Sequence, residues 1–245
     1  MSGELVQLGL FAAGAFVAAL VAGVSGFAFA PLAASVWLHL FTPLETAMLT
    51  VGYNILVQGY GTWRTRHAFD WARLWPLILG GLPGVILGIS TLSWADPAYT
   101  RFGIAVFLVL YALYGLFRPT VRPIRGGVVV DGIAGFTGGL LGSMAGFPGI
   151  LVVVWCTMRG WSKDEQRAVF QPASVALLAF AAVTLLATGS LTRSVAELFI
   201  IGLPAVLLGT WAGFRFYGWV DEAMFRRLLL ILLLVSGMFM FASFK

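Results

Sequence analysis

The residues best placed to do chemistry in this chain are small and neutral. Two glycine-rich interruptions stand out, Gly23-Val24-Ser25-Gly26-Phe27 and Gly142-Ser143-Met144-Ala145-Gly146-Phe147-Pro148-Gly149, each set in apolar sequence. Where such an interruption breaks a helix, free backbone amides converge, and the helix macrodipole adds roughly half a positive charge. Glycine lets that backbone approach a ligand with no Cβ in the way. This is chemistry for holding a small anion without a permanently buried cation. The expected contacts are Gly23, Ser25, Gly26 and Phe27 in the first break, and Ser143, Gly146, Phe147 and Gly149 in the second. Pro31 and Pro148 would fix the chain beside the breaks. Pro83 and Pro204, in matching Gly-Leu-Pro segments, are further helix-break or gating positions.

Two polar faces accompany the breaks. Thr50, Asn54 and Gln58 recur at i, i+4, and Arg167, Gln171 and Ser174 at i, i+4, i+7. Each face could hydrogen-bond an anion's oxygens or glue one helix to another. Arg167 could be a charge-assisted oxygen ligand, or an anchor snorkelling to the interface from the start of its segment. Glu45, Asp131, Glu165 and Glu197 lie near segment ends, which argues against a dedicated buried proton relay. Coupling through Glu45, Asp131 or backbone ion sites stays open. Cys156 is the single cysteine, and His39 and His67 are the two histidines, so neither a disulfide nor a thiolate or histidine metal cluster is expected. No Walker loop is present and no cofactor is implied. Gly23-Val24-Ser25-Gly26 also fits the Gly-x-Ser-Gly pattern of intramembrane serine proteases, in which Ser25 would need a base, with His39 the one conceivable partner.

The elements that must position these groups follow from composition. The chain has 245 residues, of which 60% are hydrophobic and 10% charged, against about 25% charged in soluble domains. That excludes an ordinary soluble enzyme, and no polar stretch is long enough to fold alone as a head on an anchor. The expectation is one all-α polytopic membrane domain spanning residues 1–245. Apolar segments fall at 5–23, 26–41, 44–62, 74–92, 101–117, 127–143, 146–158, 166–189, 196–213 and 224–243. The first is read as structure and not as a signal peptide, since Glu4 replaces a basic leader region. The segments 26–41 and 146–158 are short, and are read either as full spans or as re-entrant hairpins.

Twelve of the 15 Lys and Arg residues fall in or beside four loops, 62–74, 118–126, 159–167 and 214–227. Threading the segments puts all four on one side, which the positive-inside rule makes cytoplasmic, with both termini outside. The net charge of +5 is thereby explained by topology, and nucleic-acid binding, which needs a basic soluble face, is not expected. Trp37, Trp63, Trp71, Trp75, Trp94, Trp155, Trp161 and Trp219 lie near segment ends, as an interfacial belt would.

The two halves repeat. Gly26-Phe27 matches Gly146-Phe147 at an offset of 120, as Thr42 does Ser162 and Glu45 does Glu165. Residues 81–88 match 202–209 at an offset of 121, and Asp96 and Arg101 match Asp221 and Arg226 at 125. Repeat 1 covers about 5–117 and repeat 2 about 127–243. Five segments per copy is an odd number, so the second copy inserts upside down. Inverted repeats with paired broken helices build secondary transporters.

The first break, its repetition at 138–149, the segment Trp161-Ser162-Lys163-Asp164-Glu165-Gln166-Arg167 and the Gly-Leu-Pro segments resemble the signatures of the sulfite exporter TauE/SafE family of permeases. The resemblance covers nearly the whole chain, although both breaks depart from the commoner Gly-Gly-Gly form. It implies a bacterial-type inner-membrane permease for sulfite, sulfonates or related sulfur-containing or carboxylated anions. The expected partners are a small anionic substrate and the lipid bilayer. The sequence leaves room for a coupling ion (H+ or Na+) and for a homo-oligomer. A passive anion or small-solute channel is the alternative.

Overall fold

The structure is a computed structural model that describes residues 2–91, 97–117, 123–124, 126–145, 150–187 and 192–242. Among the described residues ten α-helices carry the fold: α1 (Ser2–Ser25), α2 (Phe29–Trp37), α3 (Pro43–Arg64), α4 (Trp71–Thr91), α5 (Pro97–Phe117), α6 (Val128–Ala145), α7 (Ile150–Met158), α8 (Lys163–Ala187), α9 (Arg193–Tyr217) and α10 (Glu222–Ala242). No strand occurs among the described residues. Each helix covers one of the ten apolar segments. This is the expected outcome for sequence that would leave backbone groups in hydrocarbon, because a helix satisfies them within itself. By length and composition, Leu5–Ser25, Trp71–Gly88, Lys163–Val183 and Arg193–Tyr217 suffice to cross a membrane, and Ala105–Phe117 and Val128–Leu141 are shorter apolar stretches.

Helix starts are written in local side chains. Thr42 and Glu45 form a reciprocal capping box at the start of α3. The Thr42 amide donates to Glu45 Oε2 at 3.0 Å, and the Glu45 amide to Thr42 Oγ1 at 3.3 Å. Ser162 and Glu165 form the same box on α8, with distances of 2.9 and 3.3 Å. Thr192 caps α9 by accepting from the Val195 amide at 3.2 Å, and Asp221 caps α10 by accepting from the Met224 amide at 2.7 Å. The repeat-equivalent pairs Thr42/Ser162 and Glu45/Glu165 thus do the same physical work.

Of the two short segments, α2 has nine residues bounded by turns, a rise of about 13 Å at 1.5 Å per residue, against a hydrocarbon core of about 30 Å, too short to cross as one continuous helix. α7 is described over nine residues, and 146–149 before it lie outside the described residues. Pro83 and Pro204, by contrast, do not break their helices: α4 and α9 run through them. A proline removes one amide and strains a helix, but here each helix continues through it, with both prolines on exposed positions.

The chain divides into two compact units, Met1–Gly61 with Leu178–Val220, and Thr62–Leu177 with Asp221–Lys245. In the first, α1 lies against α9, and glycines set the separation. A methyl group on Gly209 would run into the Phe16 carbonyl, and one on Gly213 into the Leu20 carbonyl. Phe11, Phe29, Trp37, Leu49 and Tyr53 fill the core beside this seam. Trp37 therefore leaves the expected interfacial belt: it is fully buried, and its Nε1 donates to the Phe11 carbonyl at 3.3 Å. Trp63, Trp71, Trp75 and Trp219 are exposed, as a belt requires. Trp94 lies outside the described residues.

In the second unit α4 packs on α6 through the same device. A methyl on Gly84 would meet the Phe136 carbonyl, and one on Gly139 the Gly81 carbonyl. α5 pairs with α10, where Gly115 faces Leu230 and Gly237 faces Val109. The four basic loops are joined by direct contacts in this unit. Arg73 meets Glu165 at 2.6 Å, His67 lies 3.8 Å from Asp164, and the Lys163 amide donates to Glu222 Oε2 at 2.8 Å. Arg159 Nη1 donates to the carbonyls of Ile124 and Gly126, both at 3.1 Å.

Candidate functional site

The first break is real and centred three residues after its first glycine, Gly23. α1 ends at Ser25, and Gly26 takes φ of 92°, a left-handed conformation that a Cβ would oppose. The Gly26 amide donates back to the Ala22 carbonyl at 2.6 Å. Ser25 is fully buried, and its Oγ accepts from the Phe27 amide at 3.4 Å. Phe27, Phe29 and Ala30 are buried as well. The amides that helix geometry leaves without intrahelical acceptors are those at the start of α2. Its N-cap is Ala28, which makes no side-chain cap. Pro31 sits in the first turn of α2, where a missing amide costs nothing, so it starts a helix and does not break one.

Gly23 plays a different part from the one expected. It lies inside α1, with Gly213 Cα 2.8 Å and the Thr210 carbonyl oxygen 2.9 Å from where its Cβ would be. It is a packing glycine, and its amide belongs to the C-terminal end of a helix, where the dipole is negative. Ser143 lies in the last turn of α6, its Cβ within 3.0 Å of a methyl placed on Gly88. Its Oγ is buried with no hydrogen-bond partner among the described residues. Gly146, Phe147, Pro148 and Gly149 lie outside the described residues.

Both polar faces are buried. On α3, Thr50 is 9% exposed, Asn54 6% and Gln58 2%. On α8, Arg167 and Gln171 are fully buried and Ser174 is 3% exposed. This overturns two expectations. Arg167 is no snorkelling anchor, because none of its surface reaches solvent or lipid. Permanently buried positive charge is also not avoided: a guanidinium stays protonated at any physiological pH, and here it shares a helix face with two neutral hydrogen-bonding side chains.

Sequence reasoning missed Thr46 and the capping boxes, and named Asp131 only as an acid near a segment end that left coupling open. Thr46, one turn before Thr50 on α3, is 3% exposed, and its i, i+4 spacing could have revealed it. The Ser/Thr-x-x-Glu boxes around Glu45 and Glu165 carried a readable capping signature. Asp131, in the first turn of α6, is 5% exposed, and its Oδ1 accepts from Trp155 Nε1 at 2.8 Å. Its Oδ2 lies 3.7 Å from Arg159 Nη2, whose guanidinium stacks 5.1 Å from the Trp161 ring centroid. Trp155 is thus held by a carboxylate. Only the long-range pairing of 131 with 155 makes this visible.

The protease geometry does not form. Ser25 is fully buried with its oxygen accepting a backbone amide, while His39 lies on the exposed turn after α2. A nucleophilic serine needs a base within hydrogen-bond reach.

The curated proteins and the solved structures yield no match to this chain. Among protein families, the one described as Sulfite exporter TauE/SafE matches residues 10–240, nearly the whole length. Buried polar faces on apolar helices, a half-length helix after the glycine break at Gly26 and this match converge: the chain belongs to the sulfite exporter TauE/SafE family of membrane transporters.

Proposed function

We propose that this protein is a secondary permease for a small sulfur-containing oxyanion, with sulfite and organosulfonates first and small carboxylates next. The observation that carries the reading is the full burial of Arg167 on one face with Gln171 and Ser174. A cation in apolar surroundings is costly to desolvate, and ionisable groups kept inside membrane segments characteristically mark substrate or ion pathways. A planar guanidinium with five donors suits an oxyanion's oxygens. Separately, the uncapped start of α2 behind Gly26 offers backbone amides of its own.

The inverted-repeat reading is supported by exchange of partners. α1 of the first repeat packs on α9 of the second, and α4 of the first packs on α6 of the second, so equivalent helices make equivalent glycine seams. The twin capping boxes point the same way. In this reading the protein works as one transport domain in the cytoplasmic membrane, both termini outside. It moves its anion by alternating exposure of the site, with H+ or Na+ as coupling ion, alone or as a homo-oligomer.

The test is flux in reconstituted vesicles, with sulfite, methanesulfonate and acetate in turn, under H+, Na+ and zero gradients. Saturable anion movement is expected. Arg167→Met should raise the half-saturation concentration about 10- to 150-fold, the equivalent of a charge-assisted bond worth about 1.5–3 kcal/mol. Arg167→Lys should recover only part of that. Absence of saturable movement under every gradient would overturn the reading.

A further inference from the structure

α3 carries a second polar feature, distinct in chemistry from Arg167. Thr46, Thr50 and Asn54 follow one another at i, i+4, i+8, and all three are more than nine-tenths buried. The Oγ1 of Thr46, the Oγ1 of Thr50 and the Oδ1 of Asn54 have no hydrogen-bond partner among the described residues. Successive rungs are about 6 Å apart along the axis, so the ladder spans about 12 Å.

The threonines are the informative members. A hydroxyl in an apolar helix ordinarily satisfies itself by donating to the carbonyl three or four residues back. Others in this chain do so: Thr210 donates to Val206 at 2.7 Å, Thr157 to Val154 at 2.7 Å, Thr137 to Ile133 at 2.9 Å and Ser35 to Leu32 at 2.7 Å. Thr46 and Thr50 decline that bond, so their hydroxyls are turned away from their own backbone. Nor does the neighbouring tyrosine serve them. The Tyr53 hydroxyl is engaged elsewhere, donating to the Phe199 carbonyl at 2.8 Å. Orphaned polar atoms are rare in buried positions, and three in one stripe call for a common occupant.

We propose that Thr46, Thr50 and Asn54 form a neutral subsite that binds the oxygens of a small oxyanion. The inference rests on the permease reading above and names a second place where the same anion is held. Hydroxyls donate to anionic oxygen, and a carboxamide offers either its NH2 or its oxygen by a half-turn. A small oxyanion reaches two rungs at a time, so the ladder offers two overlapping positions, Thr46 with Thr50 and Thr50 with Asn54. In the second repeat the equivalents at an offset of 120 are Gln166, Phe170 and Ser174. The stripe is therefore particular to α3 and no mere by-product of the duplication.

The experiment uses the full chain in detergent and in vesicles, with sulfite as probe and the isosteric changes Thr46→Val and Thr50→Val. Without sulfite, both variants should melt at or above the wild-type temperature, because each removes a hydroxyl that has no partner. With sulfite, the half-saturation concentration for thermal stabilisation and for flux should rise about fivefold or more per variant, and Thr50→Ser should restore it. Unchanged half-saturation in both valine variants would overturn the subsite, leaving water as the occupant while the permease reading stands. Lower melting without sulfite would also overturn it, since the hydroxyls would then be internal glue. A wild-type protein that neither binds nor moves sulfite or methanesulfonate would instead sink the permease reading, and the subsite with it.

Discussion

Gly23 was expected to touch a ligand, whereas the structure packs it against another backbone, and a single methyl group separates the two roles. In Gly23→Ala the new Cβ would stand 2.8 Å from Gly213 Cα and 2.9 Å from the Thr210 oxygen. Carbon atoms rest at about 3.5–4.0 Å, so α1 and α9 must part by roughly 0.7–1.2 Å at this point. Both obstacles are backbone, which cannot rotate aside. The strain passes along the seam, where Gly209 and Gly213 hold the same close approach. Overpacking of this kind costs about 1–3 kcal/mol, against a gain of up to about 1 kcal/mol for alanine over glycine in a helix. Gly9 is the internal control, because it lies on the same helix with nothing within 4 Å of its would-be Cβ. Gly9→Ala should keep the propensity gain alone. The two variants should therefore differ by about 1–3 kcal/mol in stability. Equilibrium unfolding of the purified protein, followed by tryptophan fluorescence in mixed detergent, would measure that difference. Equal stability of the two variants, with flux lost only in Gly23→Ala, would refute the packing argument and return Gly23 to the ligand.

The capping boxes make a symmetric prediction. Thr42→Ala and Ser162→Ala should each lower stability by about 1 kcal/mol in the same unfolding assay, and a loss confined to one of them would argue against equivalent roles. Topology gives another. Engineered single cysteines, in a background lacking the buried Cys156, should label from the inside at 64–73 and 118–126 and from the outside at 93–99 and 190–195. Labelling of 190–195 from the inside would defeat the inversion.

Much of the architecture was legible because it rests on local signals. Apolar runs placed all ten helices, and glycine followed by phenylalanine placed the first break. The basic residues grouped loops that the structure joins through Arg73, Arg159 and Glu165. What failed depended on partners far away in sequence. Trp37 reads as an interfacial residue until Phe11, Phe29 and Tyr53 surround it. Arg167, at the start of a segment, reads as a snorkelling cation until its burial is known. Pro83 and Pro204 read as breaks because proline is a local obstacle. Both helices nevertheless continue through it. Of the binding elements, the polar faces of α3 and α8 were visible as periodicity. Thr46 was passed over because a threonine near a helix start is ordinarily a satisfied one.

The pairing of α1 with α9 bears on how the protein is made. The flank of α1 around Gly23 finds its glycine-bearing partner only when Arg193–Tyr217 has been synthesised. That is roughly 190 residues after α1 is complete, on the order of ten to forty seconds at ordinary translation rates. Throughout that interval the flank faces lipid, the insertion machinery or a wrong helix. Biogenesis is therefore a problem of delayed closure. Its vulnerable period should lengthen with any pause in the second half of the message, even though α1 itself has long since been inserted.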